Sequence, residues 1–547
     1  MAPSPPEHHS PIARMPAEIL TRIFDIHVHD TLQRFDKSPS QSTLACARDC
    51  SPYSWIRISH VCQHWRSLAL STPLLWSTII VTRQTECMQA MLERSQHVPL
   101  HIRAIGPGAC YISRPVPLKS LRLVLTAMHR VRTLDLAINW WVHDELAVLL
   151  QQPAPLLRQA RLSTPNGGYD GGWLCPVASL GQPHADSANP DAAAPQAQTQ
   201  IEELVLSCYA FPWTDPHPFR TLKHLRVNNR GLACPSIEQV AYTLGALPRL
   251  VTLVLHGVLH GGSVHTLGRA YAGAISLREL EQLTLSGDSL ACATVLKLLE
   301  IPKTTRITLV YTSERNLDAL AYSMPHVNKK LEAGAGEGNE QGWMSMDHSQ
   351  SSCSLNFYHT PSTHTTSRLE PEDAQPRLTL KAHPSTAHIE AMCRHLDLSA
   401  AKALQMTPLP GMDLVPWLPL LKQFYQFREA HLVQWQLSDV VELLLHSAPA
   451  VGAPTTGGDA PEGDIEPSSP SVYLPELSML ALWDAQCTSD ATVADLVVAL
   501  ASRKKRGRRL ERLVLRECTS LCPMDVSALA GLVGQLDWDG RLFNDAS

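Results

Sequence analysis

Cys46, Cys50, His60, Cys62 and His64 fall within one short N-terminal stretch and are the residues best suited by type to hold a metal ion. A structural zinc takes four nitrogen or sulfur ligands, commonly as close Cys or His pairs. A helix through this stretch places Cys62 on its apolar side and His60 and His64 on its solvent side. The set does not converge, and no metal is expected. His27 and His29, two apart, read as loop histidines. Phosphate chemistry has one weak candidate, the alternating glycines of "AGAGEGNE" around Gly334. No strand precedes them and no helix follows, which leaves a low-complexity segment. No GxGxxG follows a strand, and GxxxxGK[ST], HExxH and GxSxG do not occur. No catalytic residue and no cofactor is expected, so the chain reads as a non-enzyme. The block RKKRGRR at 503–509 leaves three readings open: a nuclear-localisation signal, a phosphate-contacting patch, or a solvated loop before the strand at Leu510.

The bulk numbers narrow the function class. At 547 residues the chain exceeds one simple core, so more than one folded unit is expected. A formal net charge of -5 gives no overall reason to bind nucleic acid. The 14 cysteines are dispersed, and Cys62, Cys208, Cys292 and Cys518 sit among apolar neighbours, which suits reduced thiols better than a disulfide framework. No apolar run approaches the roughly 20 residues of a membrane span. The opening "MAPSPPEHHSP" lacks the basic and apolar regions of a secretory leader. A soluble protein of the cytoplasm and/or nucleus is expected.

Several elements can be placed from periodicity. In "MPAEILTRIF" Pro16 suits a first helical position, and Ile19, Leu20, Ile23 and Phe24 share a face opposite Glu18, Thr21 and Arg22. The polar stretch at about 25–53 reads as a long loop. A second helix carries Ile58, Val61, Cys62, Trp65, Leu68 and Ala69 at helical spacing. Pro73 opens a further turn with Leu74, Leu75 and Trp76 as its apolar face, and "STIIV" resembles a short strand.

Beyond about Leu118 a Leu-x-x-Leu-x-Leu phrase recurs. "VRTLDLAIN" holds the full phase, and "IEELVL", "LKHLRV", "LVTLVL", "LEQLTL", "LSMLAL" and "LERLVL" repeat its strand portion, with "CRHLDL" a weaker copy. The starts between Ile201 and Leu280 lie roughly 20–30 residues apart, the range of leucine-rich repeats. Alternating leucines face inward from a short strand, a following helix covers them, and the units must stack to bury that face. "SIEQVAYTLGALPRL" shows one cycle: a Ser cap, a helix, a Gly-containing break and the next strand. Gly-, Pro-, Ala- and Ser-rich stretches at about 163–200, 325–375 and 450–470 read as disordered insertions.

"MPAEILTRIF" followed by "VCQHWRSLALSTPLLWSTI" resembles the F-box family in two separated, correctly spaced segments. Met15, Pro16, Glu18, Ile19, Leu20, Ile23 and Phe24 carry the first half. Val61, Cys62, Trp65, Leu68, Ala69, Leu75 and Trp76 carry the second. The insertion before Trp55 resembles the long form of fungal F-box-like proteins. The resemblance implies a Skp1-binding module that joins a cullin–RING ubiquitin ligase. It implies a partner-binding set of Pro16, Leu20, Ile23, Phe24, Val61, Cys62, Trp65, Leu68 and Trp76, shared between interface and core.

The expected fold is a small all-α F-box helical module followed by an irregular α/β leucine-rich-repeat solenoid. A disordered N-terminus occupies 1–11, the box 12–82, a linker or capping segment 83–117, and the repeats 118–540. The expected function is a substrate-recognition adaptor of a Skp1–cullin–F-box type ligase, with an unknown protein substrate and no membrane partner. Trp140, Trp141, Tyr209, Trp213 and Trp483 fall at or just after repeat strands and are candidate aromatic anchors on the substrate face. The alternative is a leucine-rich-repeat interaction scaffold with no role in ubiquitination.

Overall fold

The computed structural model describes residues 15–37, 52–104, 117–138, 140–164, 173–174, 200–229, 234–260, 274–312, 317–332, 342–348, 352–358, 375–382, 386–398, 401–407, 421, 424, 426–445, 474–485, 490–518 and 521–540. They divide into two compact units, Met1–Val258 with Ile275–Leu280, and Leu259–Ala274 with Glu281–Ser547.

The first unit opens on helix α1, Ala17–Lys37. It runs well into the stretch expected as a loop, because Leu20, Phe24 and Val28 repeat every four residues and are all buried. The polar residues between them mask that stripe in the sequence, and 38–51 lies outside the described residues. The expected second helix is broken in two, a tight 3-10 segment Ser54–His60 and helix α2, Gln63–Leu70. At the break Cys62 is extended (φ -156°, ψ 170°), and its Sγ accepts the Trp65 N–H at 3.5 Å as the cap of α2. Val61 and Cys62 therefore lie at the surface and not on an apolar helix side. A second 3-10 turn, Pro73–Trp76, leads into strand β1, Thr78–Ile80.

The segment at 83–117, expected as a linker or capping segment, is folded where it is described. It holds helix α3, Thr85–Arg94, and strand β2, Leu100–Ala104, which pairs parallel with β1. Four strands follow: β3 (Val131–Ala137), β4 (Gln159–Ser163), β5 (Glu203–Ser207) and β6 (His224–Asn228). Strand β7, Thr252–Leu259, ends the series. Each pairs parallel with the one before it in the chain. One apolar row crosses the set in register, Ile79, Ile102, Leu134, Ala160, Leu204, Leu225 and Leu253, every member 0% exposed. Side chains alternate along a strand, so this row fixes which face each strand turns inward. Strand β4 escaped the leucine phrase because Ala160 stands where leucine was sought.

Helix α4 (Leu118–Leu125), helix α5 (Trp140–Leu150) and helix α6 (Ile237–Gly245) lie in these connections. Ser236 caps α6 through a reciprocal box: its hydroxyl accepts the Gln239 N–H at 3.2 Å, and Gln239 Oε1 accepts the Ser236 N–H at 2.8 Å. We expect Ser236→Ala to destabilise this helix by about 1 kcal/mol, read as faster amide exchange across 240–244 with the rest of the unit unchanged.

The second unit is mixed. Strands β8 (Gln282–Gly287) and β9 (Arg306–Tyr311) are joined through helix α7, Ser289–Leu298, and helix α8, Leu317–Glu332, follows. Then come β10 (Gly342–His348), β11 (Cys353–Tyr358) and β12 (Leu378–Ala382). Helix α9 (Thr386–His395) leads to β13 (Ala401–Thr407) and β14 (Glu429–Val433). Helix α10 (Leu437–Leu445), β15 (Met479–Trp483), helix α11 (Asp490–Lys505), β16 (Arg512–Arg516), helix α12 (Pro523–Ala530) and β17 (Gln535–Trp538) complete it. Side by side the order is β8, β9, β12, β11, β10, β13, β14, β15, β16, β17. Among the described strands of this unit, β11 alone runs against its neighbours.

The expected disordered insertion at about 325–375 is thus corrected: it contains the end of α8 and both β10 and β11. Met344 faces Phe357 and Met346 faces Leu355 across this hairpin, a period-two apolar pattern obscured by its polar flanks. "CRHLDL" is also corrected, since Leu396 and Leu398 are buried in the turn after α9 and the strand begins at Ala401. Of the expected insertion at 163–200, Trp173–Leu174 pairs with Tyr209–Ala210. The segments 1–11 and 450–470 lie outside the described residues.

Candidate interaction surfaces

In the N-terminal module the inward residues form a closed core. Phe24 meets Trp65 edge-on at 5.1 Å between ring centroids, and Trp55 meets Trp76 the same way at 5.1 Å. Trp76 donates from Nε1 to the Ala69 carbonyl at 2.9 Å, and the Arg94 guanidinium lies 4.4 Å from its ring centroid. Tyr53 ties the module to β1: its hydroxyl donates to the Ile80 carbonyl at 2.5 Å and accepts the Ile80 N–H at 2.8 Å.

With that core filled, a second apolar set is left outside. Ile19 (49% exposed), Ile23 and Ile26 stripe the outer side of α1, while Val61 (61%), Leu70 and Leu74 (55%) are exposed on the following segments. Single exposed apolar side chains are ordinary, but six on one small module stand out. Residues 12–82 match the F-box-like family model. No curated protein matches the chain. The F-box-like domain sorts the expected partner-binding set into two groups. Leu20, Phe24 and Trp76 are buried in its core, and Trp65 and Leu68 are half-buried. Pro16, Ile23, Val61 and Cys62 stand at the surface. Ile19 and Ile26 were missed as surface residues, although their spacing with Ile23 already described a second stripe.

The strand faces turned away from the apolar rows are polar. In the first unit one register row reads Thr78, His101, Thr133, Gln159, Glu203, His224, Thr252. His101 Nδ1 lies 3.0 Å from Thr133 Oγ1, and Arg161 pairs with Glu203 at 2.7 Å. In the second unit the row reads Thr284, Thr308, Thr379, Asn356, Ser345, Gln405, His431 across seven strands. Thr379 donates to Asn356 Oδ1 at 2.9 Å, and Asn356 Nδ2 donates to Ser345 Oγ at 3.1 Å and to Asp347 Oδ2 at 2.8 Å. Burial holds the His431 pKa down at about 4, so its ring is neutral at pH 7. Arg512 and Arg516 clamp Asp537 at 3.3 and 2.8 Å, and the hydrogen bond from Arg516 holds its carboxyl below the usual range.

Of the five expected aromatic anchors, Tyr209 and Trp213 lie in the first unit and Trp483 in the second. Tyr209 is 1% exposed and packs inside the first unit, and Trp213 packs on Phe211 with ring centroids 4.9 Å apart. Trp140 and Trp141 begin α5 and do not lie on a strand, and their side chains lie outside the described residues. Trp483 alone sits on a polar strand face, in register with Val433 and Arg516.

The basic block is largely a helix terminus. Arg503 is buried and donates to the carbonyls of Leu474 and Leu477, Lys504 to that of Gly531, and Arg509 to those of Leu532 and Val533. Gly507 (φ 74°) ends α11 in a left-handed cap, with Arg508 N–H to Arg503 O at 3.1 Å and Gly507 N–H to Lys504 O at 3.1 Å. Cations at a helix C-terminus also meet its partial negative charge. Among the described residues no group of three or more His, Cys, Asp and Glu is placed to hold a metal ion, and no helix is long and apolar enough to cross a membrane. Cys46 and Cys50 lie outside the described residues.

Proposed function

We propose that this protein is a substrate-recognition adaptor of a Skp1–cullin–F-box type ubiquitin ligase. Its F-box-like domain docks on a Skp1-type protein through Ile19, Ile23, Ile26, Val61 and Leu74. The strand–helix units behind it act as an irregular leucine-rich-repeat solenoid whose polar strand faces receive a target protein. Ubiquitin transfer belongs to the ligase partners, so the chain itself carries no catalytic residue. The reading rests on one observation: an F-box-like domain whose core is complete without the apolar stripe that it exposes.

The test is capture of purified Skp1 and a cullin by the full-length chain. Ile23→Asp and Val61→Asp should each weaken Skp1 binding about 30-fold, roughly 2 kcal/mol, while leaving the thermal unfolding profile unchanged. A wild-type chain that captures no Skp1 sinks the proposal. Skp1 captured without cullin favours the non-ligase scaffold.

A further inference from the structure

The seven residues Arg503 to Arg509 carry six cations and no acid. The nearest acids along the chain are Asp495 and Glu511. Three of the six cations hold the turn to the second unit: Arg503 through the Leu474 and Leu477 carbonyls, Lys504 through Gly531, and Arg509 through Leu532 and Val533. The left-handed Gly507 fixes the backbone between Arg506 and Arg508. The other three cations, Lys505, Arg506 and Arg508, are exposed, and among the described residues their side chains make no hydrogen bond or ion pair. Like charges this close repel, and burial followed by the charge of Arg508 holds the Arg503 pKa down at about 10. The partial negative charge of the helix end offsets part of that repulsion. Lys505, Arg506 and Arg508 still bring the fold repulsion without a polar contact in return.

Helix α11 carries a second feature on the same side. Val498 is 59% exposed and lies about two helical turns before Lys505, in line with it and roughly 10 Å away. Ala501, also exposed, lies between them. The surface is an apolar spot with a cationic end, and that combination selects among anions. A nucleic-acid backbone would meet the cations and leave Val498 in water. A membrane surface asks for large apolar side chains beside the cations, and Val498 with Ala501 gives it little to insert. A polypeptide supplies both a carboxylate pair for the guanidinium forks and an apolar side chain for Val498. We propose that Val498, Lys505, Arg506 and Arg508 form a docking surface for an acidic segment of a partner polypeptide. That segment carries two or more Asp or Glu residues roughly 10 Å from an apolar one. This surface needs no part of the F-box-like domain, so its test is independent of the adaptor reading.

Short random peptides displayed on phage and selected on the full-length chain should enrich paired Asp or Glu near a Leu, Ile, Val or Phe. A synthetic peptide from that set should bind about tenfold more weakly when Lys505, Arg506 and Arg508 are all changed to Gln. It should also weaken as sodium chloride rises from about 50 to about 500 mM. Val498→Ser should cost about fivefold, which a purely ionic patch would not show. All four side chains are at the surface, so the melting temperature should hold in these variants. Selection without an acidic consensus overturns the proposal, as does binding by the wild-type chain that ignores salt, whether or not the variants fold. Peptide binding that survives the triple change overturns it too. Tighter binding of oligothymidylate or of phosphatidylserine vesicles than of the peptide would assign the cations to another class of ligand. Peptide binding that emerges only after Asp459, Glu462, Asp464 and Glu466 are changed to Asn or Gln would place the chain's own acidic stretch there, against an outside partner.

Discussion

Replacing Trp76 with alanine is expected to cost the F-box-like domain about 3–5 kcal/mol, the range for truncating a buried large aromatic. Trp76 is 1% exposed, and the substitution removes its edge contact with Trp55, its hydrogen bond to Ala69 and the ring beneath Arg94 in one step. The Ala69 carbonyl would lose its shorter bond and keep the Thr72 N–H at 3.4 Å, a smaller cost added to that of the cavity. Trp76→Phe keeps much of the ring packing and loses the N–H, so an intermediate effect is expected. The chain has two units and need not unfold in one step. The appropriate reading is therefore local, amide exchange of peptides covering 54–81. Protection that survives Trp76→Ala would show that the tryptophan is not the keystone of this core.

Acidification should destabilise the second unit through His431 by up to about 3 kcal/mol. The ring is buried, its folded pKa is held at about 4 against 6.5 when free, and neither nitrogen has a partner. A depressed folded value means that the unfolded chain takes up the proton first. The contribution is whole above pH 6.5, declines as pH falls from 6.5 to 4, and is spent below that. Asp537 is also depressed, by its bond to Arg516, but an aspartate of ordinary pKa 3.8 loses its contribution only at lower pH. The window between 6.5 and 4 in this unit is therefore the place to look. Urea midpoints at pH 7 and pH 5 should differ less in His431→Phe than in the wild-type chain; an equal difference would mean that other groups carry the acid response.

These two residues also show what a sequence discloses. Trp76 was visible as part of a tag, because a Pro-opened turn with Leu-Leu-Trp repeats the register of a small helical core. Its burial followed from chemistry that is local in the chain. His431 had no such signal. Its neighbours Gln405, Ser345 and Asn356 come from strands far apart in sequence, and register alone puts them in one row. The leucine phrase found seven strands and missed those where Ala160, Ala430 or Met406 holds a buried place, since a core position asks for apolar volume and tolerates several side chains. The outer stripe of α1 was legible by spacing, but Leu20 and Ile19 cannot be told apart as inside and outside until the partner helices are placed. Hydrophobic residues on both sides of one helix have two destinations.

The twin hydrogen bonds of Tyr53 have a consequence for experiments that remove the N-terminal domain. Ile79 directs its backbone groups toward β2, so the Ile80 N–H and C=O point the other way, to the side of β1 that has no neighbouring strand among the described residues, and the Tyr53 hydroxyl occupies both. A bare strand flank is a template on which further chains can add. A chain shortened to begin at Ser77 would keep β1 and lose its cover, inviting self-association of the remaining sheet. Loss of a partner and gain of aggregation would then look alike in cells. Surface substitutions such as Ile23→Asp, made in the intact chain, keep the two apart.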